Sequence, residues 1–138
     1  MISSKSITVQ TTVENIEKVT DFINSELEEL ECSMKYQIQI DVAIDELLGN
    51  IVRYAYGDAT GEATVVFSAE DDPKSVTITF IDTGMPYDPL SREDPDVTLS
   101  ADERSIGGLG IFLVKKTMDK MEYKFEDGKN ILAITKKI

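Results

Sequence analysis

The chain has no histidine and a single cysteine, Cys32, among its 138 residues. The absence of histidine excludes Ser-His-Asp and Cys-His catalytic sites, histidine ligands for zinc and an acceptor histidine within this sequence. One cysteine cannot form an internal disulfide, which suits a reducing compartment. We interpret Cys32 as a small residue at a helix boundary rather than as a reactive thiol.

Basic residues are also scarce, because 14 Lys and Arg stand against 26 Asp and Glu and give a net charge of −12. Nucleic-acid binding depends on Lys and Arg that release counterions, so this balance argues against nucleic acid and against anionic membranes as partners. An anionic ligand would need Mg²⁺, backbone N–H groups and a few well-placed cations. A simpler interpretation is that the charge only aids solubility.

No apolar run in the sequence approaches the roughly 20 residues that a membrane-spanning helix requires. Residues 1–5 contain no apolar segment of the kind found in signal peptides. We therefore expect a cytoplasmic protein. A length of 138 residues predicts one domain, 1–138, with a hydrophobic core of its own.

Periodicity along the chain predicts the order strand, helix, helix, two strands, long loop, helix, two strands. The predicted strands are 6–11, 63–69, 76–82, 122–127 and 130–136. The first two predicted helices begin after caps at Thr12 and Ser33, and the third begins at Gly108. The second helix is expected to end near Tyr56 and the third near Lys120. This order predicts an α+β fold, a two-layer sandwich in which helices cover one face of a mixed, mostly antiparallel sheet.

Residues 83–106 follow neither the helical nor the strand period. They contain three of the four prolines, Pro86, Pro89 and Pro95, together with mostly acidic charges. A loop of this length inside a compact domain is usually functional or disordered.

Glu46 and Asn50 lie four residues apart at the edge of the apolar stripe of the second predicted helix. That spacing places both on one helical face. The Asn carbonyl oxygen is a suitable ligand for Mg²⁺, and a carboxylate one turn earlier can orient or deprotonate a hydroxyl or a water. Taken alone, the spacing more often marks an ordinary solvated face, because Glu-x-x-x-Asn occurs by chance in many helices.

Asp82 ends an alternating apolar strand and is followed by Thr83 and Gly84. A carboxylate at a strand end, at the mouth of a pocket, can accept a hydrogen bond from an exocyclic amine such as that of adenine. Gly84 permits a close approach that a side chain would forbid. The alternative is a strand-to-turn Asx motif with no ligand.

Gly107, Gly108 and Gly110 cluster where the third predicted helix starts. Unpaired N–H groups and the macrodipole at a helix start attract an anion, and glycines let phosphate approach the backbone. The run is neither a Walker A motif nor a Rossmann fingerprint, because it lacks the following Lys-Ser/Thr and the βαβ unit. Arg104 is a candidate contact for a terminal phosphate. A flexible hinge and a surface arginine are the simpler alternatives.

The three motifs together are far more specific than any one of them, and their order resembles that of the GHKL ATPase superfamily. The N box is similar to Glu46-Leu47-Leu48-Gly49-Asn50, the G1 box to Asp82-Thr83-Gly84-Met85-Pro86, and the G2 box to Gly107-Gly108-Leu109-Gly110. Total length, the extended run 82–89 and the run 108–113 most resemble the bacterial anti-sigma-factor serine/threonine kinases. The resemblance covers the whole chain.

This resemblance implies a Bergerat fold, the histidine-kinase-like ATPase domain, with an ATP lid at about 85–106. It implies ATP and Mg²⁺ as cofactors, with Asn50 as the metal ligand, Asp82 as the adenine contact and Glu46 as the general base. Further contacts to the nucleotide are implied at Gly84, Gly107, Gly108, Leu109 and Gly110.

The resemblance also implies partners. Such kinases phosphorylate a serine or threonine on a small anti-anti-sigma (STAS-like) protein, and in their alternative state they form a homodimer that holds a sigma factor. Tyr54 stands where many relatives have histidine. A nucleotide-gated protein-binding module without kinase activity is the main alternative. The ATPase half of a histidine kinase is a third, and the missing histidine argues against a complete one.

Overall fold

The computed structural model describes residues 3–71, 74–91 and 108–138, in the element order expected from the sequence. The strands are β1 (Ser3–Gln10), β2 (Glu62–Asp71), β3 (Lys74–Asp82), β4 (Lys120–Glu126) and β5 (Lys129–Lys137). The helices are α1 (Val13–Glu29), α2 (Met34–Asn50) and α3 (Gly108–Thr117), with a π-helical turn at Ile51–Ala55 and a 3-10 turn at Pro89–Ser91. Within these residues no helix is long and apolar enough to cross a membrane.

The five strands form one sheet in the order β1-β2-β3-β5-β4. Every pairing between the described strands is antiparallel. The predicted α+β sandwich is confirmed, and the sheet is more regular than the mixed one expected. Because β5 inserts between β3 and β4, the ends of β3 and β5 become neighbours at the middle of the sheet.

The core lies between the helices and one face of the sheet. Strand β2 alternates buried and partly exposed positions along its length, with Val65 and Phe67 almost fully buried. Helix α1 buries one residue per turn against this face, at Val19, Ile23 and Leu27. Burial of each such side chain stabilises the fold by about 1.5–3 kcal/mol, so this layer contact fixes the helices on the sheet.

The two predicted helix caps differ in how they work. The Ser33 side chain accepts a hydrogen bond from the Tyr36 backbone N–H at 3.3 Å, as a helix cap does. Thr12 occupies the cap position of α1 with extended backbone angles, but its side chain makes no capping hydrogen bond. Backbone geometry alone sets that helix start.

Helix α2 ends at Asn50, earlier than the expected end near Tyr56, and continues as a single π-helical turn. Single π-turns of this kind are rare and occur mainly at functional sites. In the turn between β4 and β5, Asp127 and Gly128 both have positive φ, +54° and +76°. A two-residue turn with these angles matches strand twist and joins β4 to β5.

Candidate nucleotide site

A cavity of about 570 Å³ opens between the end of α2, its π-helical turn, and the adjoining ends of β3 and β5. A volume of this size is in the range of small-molecule and cofactor sites. It brings together Glu46, Asn50 and Asp82, which come from two distant segments of the chain. Its apolar walls are formed by side chains of four segments, among them Leu47, Ile51, Phe80, Pro86, Tyr87, Tyr123 and Leu132.

Glu46 and Asn50 share one face of α2, as their spacing predicts. The Asn50 Nδ2 group donates to Glu46 Oε1 at 3.4 Å, and Asn50 Oδ1 accepts a hydrogen bond from Arg53 Nη2 at 2.9 Å. The candidate metal-binding oxygen therefore faces a guanidinium. Arg53 also lines the cavity.

The described residues contain no cluster of three or more Cys, Asp or Glu side chains that would hold a metal by themselves. A single amide oxygen still fits Mg²⁺, which keeps several waters and is commonly bound by few protein ligands together with phosphate oxygens. Asn50 is therefore compatible with Mg²⁺ that arrives with a nucleotide.

Asp82 is almost fully buried at the end of β3, with 5% of its surface exposed. Its Oδ1 accepts hydrogen bonds from the Gly84 backbone N–H at 2.9 Å and from Asn130 Nδ2 at 3.0 Å. The bond from the Gly84 N–H forms the Asx-type turn that the sequence offers as the alternative to a ligand contact. The side chain also lines the cavity, and no described residue donates to Oδ2, so the turn does not exclude a ligand contact.

Gly84 is required by the close approach of the loop after β3 to the π-helical turn. A Cβ at this position would collide with the Ala55 carbonyl. The neighbouring Met85 N–H donates to that same carbonyl at 2.8 Å. The glycine thus lets the loop close one wall of the cavity against the end of the helix.

Asn130 is a site residue that the sequence motifs missed. Its Nδ2 donates to Asp82 Oδ1 and to the Met85 carbonyl at 2.9 Å, while its Oδ1 accepts from the Tyr87 N–H at 3.1 Å and from the Tyr123 hydroxyl. It is 6% exposed. A signal was present in the sequence, because Asn130 occupies an inward position of β5, two residues before Leu132.

The Tyr123 hydroxyl serves this network as a donor. Burial raises its pKa, the Asp88 and Asp82 carboxylates raise it further, and a hydrogen bond from the Tyr87 backbone works in the opposite direction. A raised pKa keeps the phenol protonated at neutral pH. The hydroxyl can therefore keep donating to Asn130.

Arg53 is the second residue that the motifs missed. A Cβ at Gly49 would lie 3.1 Å from the Arg53 Nη1, so the missing side chain at Gly49 gives the guanidinium its place against α2. The Arg53 guanidinium also lies 5.8 Å from the centre of the Tyr54 ring. The signal was a cation three residues after the N-box asparagine, one helical turn along the same face.

The glycine-rich helix start lies against Glu46. Helix α3 begins at Gly108, as predicted, and a Cβ at Gly110 would overlap the Glu46 carboxylate. Gly110 therefore lies directly against Glu46. Arg104 and Gly107 lie outside the described residues, as does the lid beyond Ser91, and so does the side chain of Leu109.

Comparison with known proteins agrees with this geometry. The profile of the histidine kinase-like ATPase domain matches residues 9–136. The serine/threonine-protein kinase BtrW of Bordetella bronchiseptica is 28% identical over 75% of this chain and 72% of its own. The serine-protein kinase RsbW of Listeria monocytogenes is 31% identical over 67% of this chain and 61% of its own, so the matched region leaves over a third of that relative uncovered.

A solved structure supports the fold independently. The crystal structure of the RsbU and RsbW domains of Rv1364c from Mycobacterium tuberculosis superposes with a TM-score of 0.70 at 17% identity. The superposition covers 98% of this chain and 32% of the Rv1364c chain. With the profile match across nearly the whole sequence, the chain belongs to the histidine kinase-like ATPase domain family, among relatives named as serine kinases.

Proposed function

We propose that this chain is an ATP-dependent serine/threonine protein kinase that phosphorylates a small anti-anti-sigma (STAS-like) protein. In its alternative state it forms a homodimer that holds a sigma factor, and the exchange of partners regulates transcription in the cytoplasm. The observation that carries the proposal is Glu46, a carboxylate held in the same cavity as Asn50 and Asp82. Relatives named as serine kinases support the class of acceptor.

The residues of the cavity suggest how nucleotide is bound. Asp82 Oδ2 is available to accept a hydrogen bond from the adenine amine, and Asn130 holds that carboxylate in place through Oδ1. The apolar walls at Phe80 and Leu132 suit a flat base. Gly108, Leu109 and Gly110, together with Arg104 and Gly107 outside the described residues, would hold phosphates at the start of α3.

The polar end of the cavity suggests how phosphate is transferred. Mg-ATP supplies the transferable phosphoryl group. Asn50 would bind the metal through Oδ1, which requires Arg53 to release that oxygen and frees its guanidinium to meet phosphate charge. Glu46 would accept the proton of the incoming serine or threonine hydroxyl. Catalysis would otherwise be positioning and charge stabilisation.

The test is transfer of labelled phosphate from ATP to a small acceptor protein encoded beside this chain. We expect one Mg²⁺-dependent phosphoserine or phosphothreonine, located by mass spectrometry. Binding of Mg-ATP with no transfer to any neighbouring acceptor would contradict the kinase and favour the nucleotide-gated binding module. Failure to bind ATP at all would contradict both.

A further inference from the structure

The carboxylate of Asp82 lines the nucleotide cavity with only one of its two oxygens open to a ligand. Oδ1 accepts from the Gly84 N–H at 2.9 Å and from Asn130 Nδ2 at 3.0 Å, and no described residue donates to Oδ2. Both N–H donors favour the charged carboxylate over the neutral acid. The group that faces a ligand here is therefore a negatively charged hydrogen-bond acceptor.

The amide of Asn130 lines the same cavity, yet its hydrogen-bonding capacity is fully used within the protein. Nδ2 carries two protons, which go to Asp82 Oδ1 and to the Met85 carbonyl at 2.9 Å. Oδ1 accepts from the Tyr87 N–H at 3.1 Å and from the Tyr123 hydroxyl, which occupies both of its lone pairs. Asn130 therefore offers a ligand neither a donor nor an acceptor.

Two backbone groups fix the orientation of the Asn130 amide. A carbonyl can only accept and an N–H can only donate, so the Met85 carbonyl must face Nδ2 and the Tyr87 N–H must face Oδ1. A reversed amide would place its oxygen against the Met85 carbonyl and against Asp82 Oδ1. Such contacts between acceptors are costly where water is excluded, and Asn130 is buried. The amide is therefore not free to turn for a different ligand.

The Tyr123 hydroxyl adds no donor for a ligand either. Its one proton goes to Asn130 Oδ1, since that oxygen can only accept. Tyr54 and Tyr87 also line the cavity, but both residues are exposed and their hydroxyls make no described bond to this network. Among the described residues, the buried network at this end of the cavity thus presents one charged acceptor and no donor.

We propose that Asn130 is a positioning residue that sets the nucleobase selectivity of the cavity, because it holds Asp82 as an acceptor that cannot become a donor. This role rests on the proposed binding of a nucleotide and makes it more specific. A purine with an exocyclic amine donates to Asp82 Oδ2. A purine with an exocyclic oxygen at the same position brings two acceptors face to face, and no group of the network can turn to donate between them.

A missing bond and a repulsive contact weaken binding to different degrees. A base with hydrogen in place of the amine loses the bond to Asp82 Oδ2 but meets no opposing charge. A base with oxygen there loses the bond and also sets a partial negative charge against a buried carboxylate. Phe80 and Leu132 pair directly across the strands, next to the pair of Asp82 and Asn130, and both line the cavity. A base packed on these apolar walls would therefore have its edge beside Oδ2.

Calorimetry on the wild-type chain with the Mg²⁺ complexes of ATP, purine riboside triphosphate and inosine triphosphate tests the role of this network. We expect purine riboside triphosphate to bind about tenfold more weakly than ATP, and inosine triphosphate at least about a hundredfold more weakly. Inosine triphosphate that binds as tightly as purine riboside triphosphate would overturn the proposal, because a donor would then face its exocyclic oxygen. Equal binding of all three would overturn it as well and leave the nucleotide site standing. Failure of all three to bind would overturn the nucleotide site itself.

Two variants separate selectivity from a loosened structure. Asn130→Leu keeps the shape of the side chain but removes the donor to Asp82, so that carboxyl can take a proton and donate. We expect the ratio of ATP affinity to inosine triphosphate affinity to fall at least about tenfold.

Tyr123→Phe is the matched control, because it removes a bond to the same amide and leaves both Nδ2 bonds in place. Its ratio should stay within about threefold of wild type, even where the affinity for both nucleotides falls. A wild-type ratio in Asn130→Leu, or an equal loss of the ratio in Tyr123→Phe, would overturn the role of Asn130. Thermal unfolding shows whether each variant is folded, and the order of the three nucleotides in wild type decides the matter if Asn130→Leu is not.

Discussion

Arg53 donates a hydrogen bond from Nη2 to Asn50 Oδ1 at 2.9 Å, the same oxygen that we assign to the metal. The guanidinium thus occupies the oxygen that the proposed metal would need. The two cannot share the oxygen, since Mg²⁺ demands tight octahedral coordination. Under the proposed metal assignment, nucleotide binding would therefore displace the exposed Arg53 side chain from Asn50.

This exchange predicts a metal-dependent effect of Asn50→Ala. We expect the affinity for Mg-ATP, measured by calorimetry, to fall at least about tenfold, or about 1.4 kcal/mol. Binding of ATP in EDTA should fall much less, because the adenine and phosphate contacts remain. Equal losses with and without Mg²⁺ would show that Asn50 is not the metal ligand.

Gly110→Ala should damage the site through Glu46. The added Cβ overlaps the Glu46 carboxylate, so the variant should lose about 1–3 kcal/mol in its free energy of unfolding. In a Glu46→Ala background the collision partner is gone, and the same substitution should cost little. Denaturant unfolding of the four proteins gives this coupling directly. Additive effects would mean that the start of α3 does not rest on Glu46.

Asn130→Ala should disconnect the nucleotide loop from the sheet. It removes the buried group that bonds to Asp82 and to the backbone of Met85 and Tyr87, so we expect a loss of about 2–4 kcal/mol in unfolding free energy. ATP affinity should fall as well, since Asp82 loses its anchor. Asn15→Ala, at a partly exposed site where Nδ2 donates to the Gln10 carbonyl, is the control for removal of a hydrogen-bonded asparagine. Unchanged ATP affinity in Asn130→Ala would contradict the anchoring role.

The carboxyl of Asp41, which lies between the two long helices, should make the free energy of unfolding depend on pH. Burial raises its pKa, nearby Asp21 adds to the rise, and the bond from Asn24 Nδ2 at 3.4 Å opposes it. A raised pKa means that the folded state holds the proton more tightly than the unfolded chain. The stability from this group is complete below the ordinary pKa of 3.8 and is lost as pH rises through the folded value.

Asp41→Asn should therefore stabilise the protein at neutral pH. Near the ordinary pKa of 3.8 the substitution should make little difference. The new amide can also donate towards Asn24 Oδ1, which is buried without a described partner. Thermal unfolding across the pH range measures the effect. Asp45→Asn, an exposed carboxylate on the same helix, controls for the removal of one negative charge. A gain that is equal in both variants at every pH would contradict the assignment to burial.

Local patterns predicted the fold well because they act over short stretches of chain. Alternation in β2 and β3 and the Ser33 cap are properties of neighbouring residues, and all three are confirmed. The motifs placed Glu46 and Asp82 at one cavity. The π-helical turn was not predicted, because its hydrogen bonding differs from that of an α-helix by one residue and the apolar pattern continues through it.

The missed site residues depend on contacts that no local pattern records. Asn130 meets Asp82 only because β5 inserts beside β3, which is a fact of sheet topology. Arg53 follows the last residue of the N box, Asn50, by three positions in the sequence. Its importance became visible only when its guanidinium was found on the Asn50 carbonyl, over the space left by Gly49.

The central claim is that Glu46 transfers a proton during phosphorylation, and single-turnover transfer by Glu46→Gln tests it most directly. The variant removes the base but keeps an oxygen that can accept from Asn50 Nδ2. We predict Mg-ATP affinity within about twofold of wild type and phosphotransfer at least about a hundredfold slower. Transfer at the wild-type rate, with nucleotide bound equally well, would contradict the account.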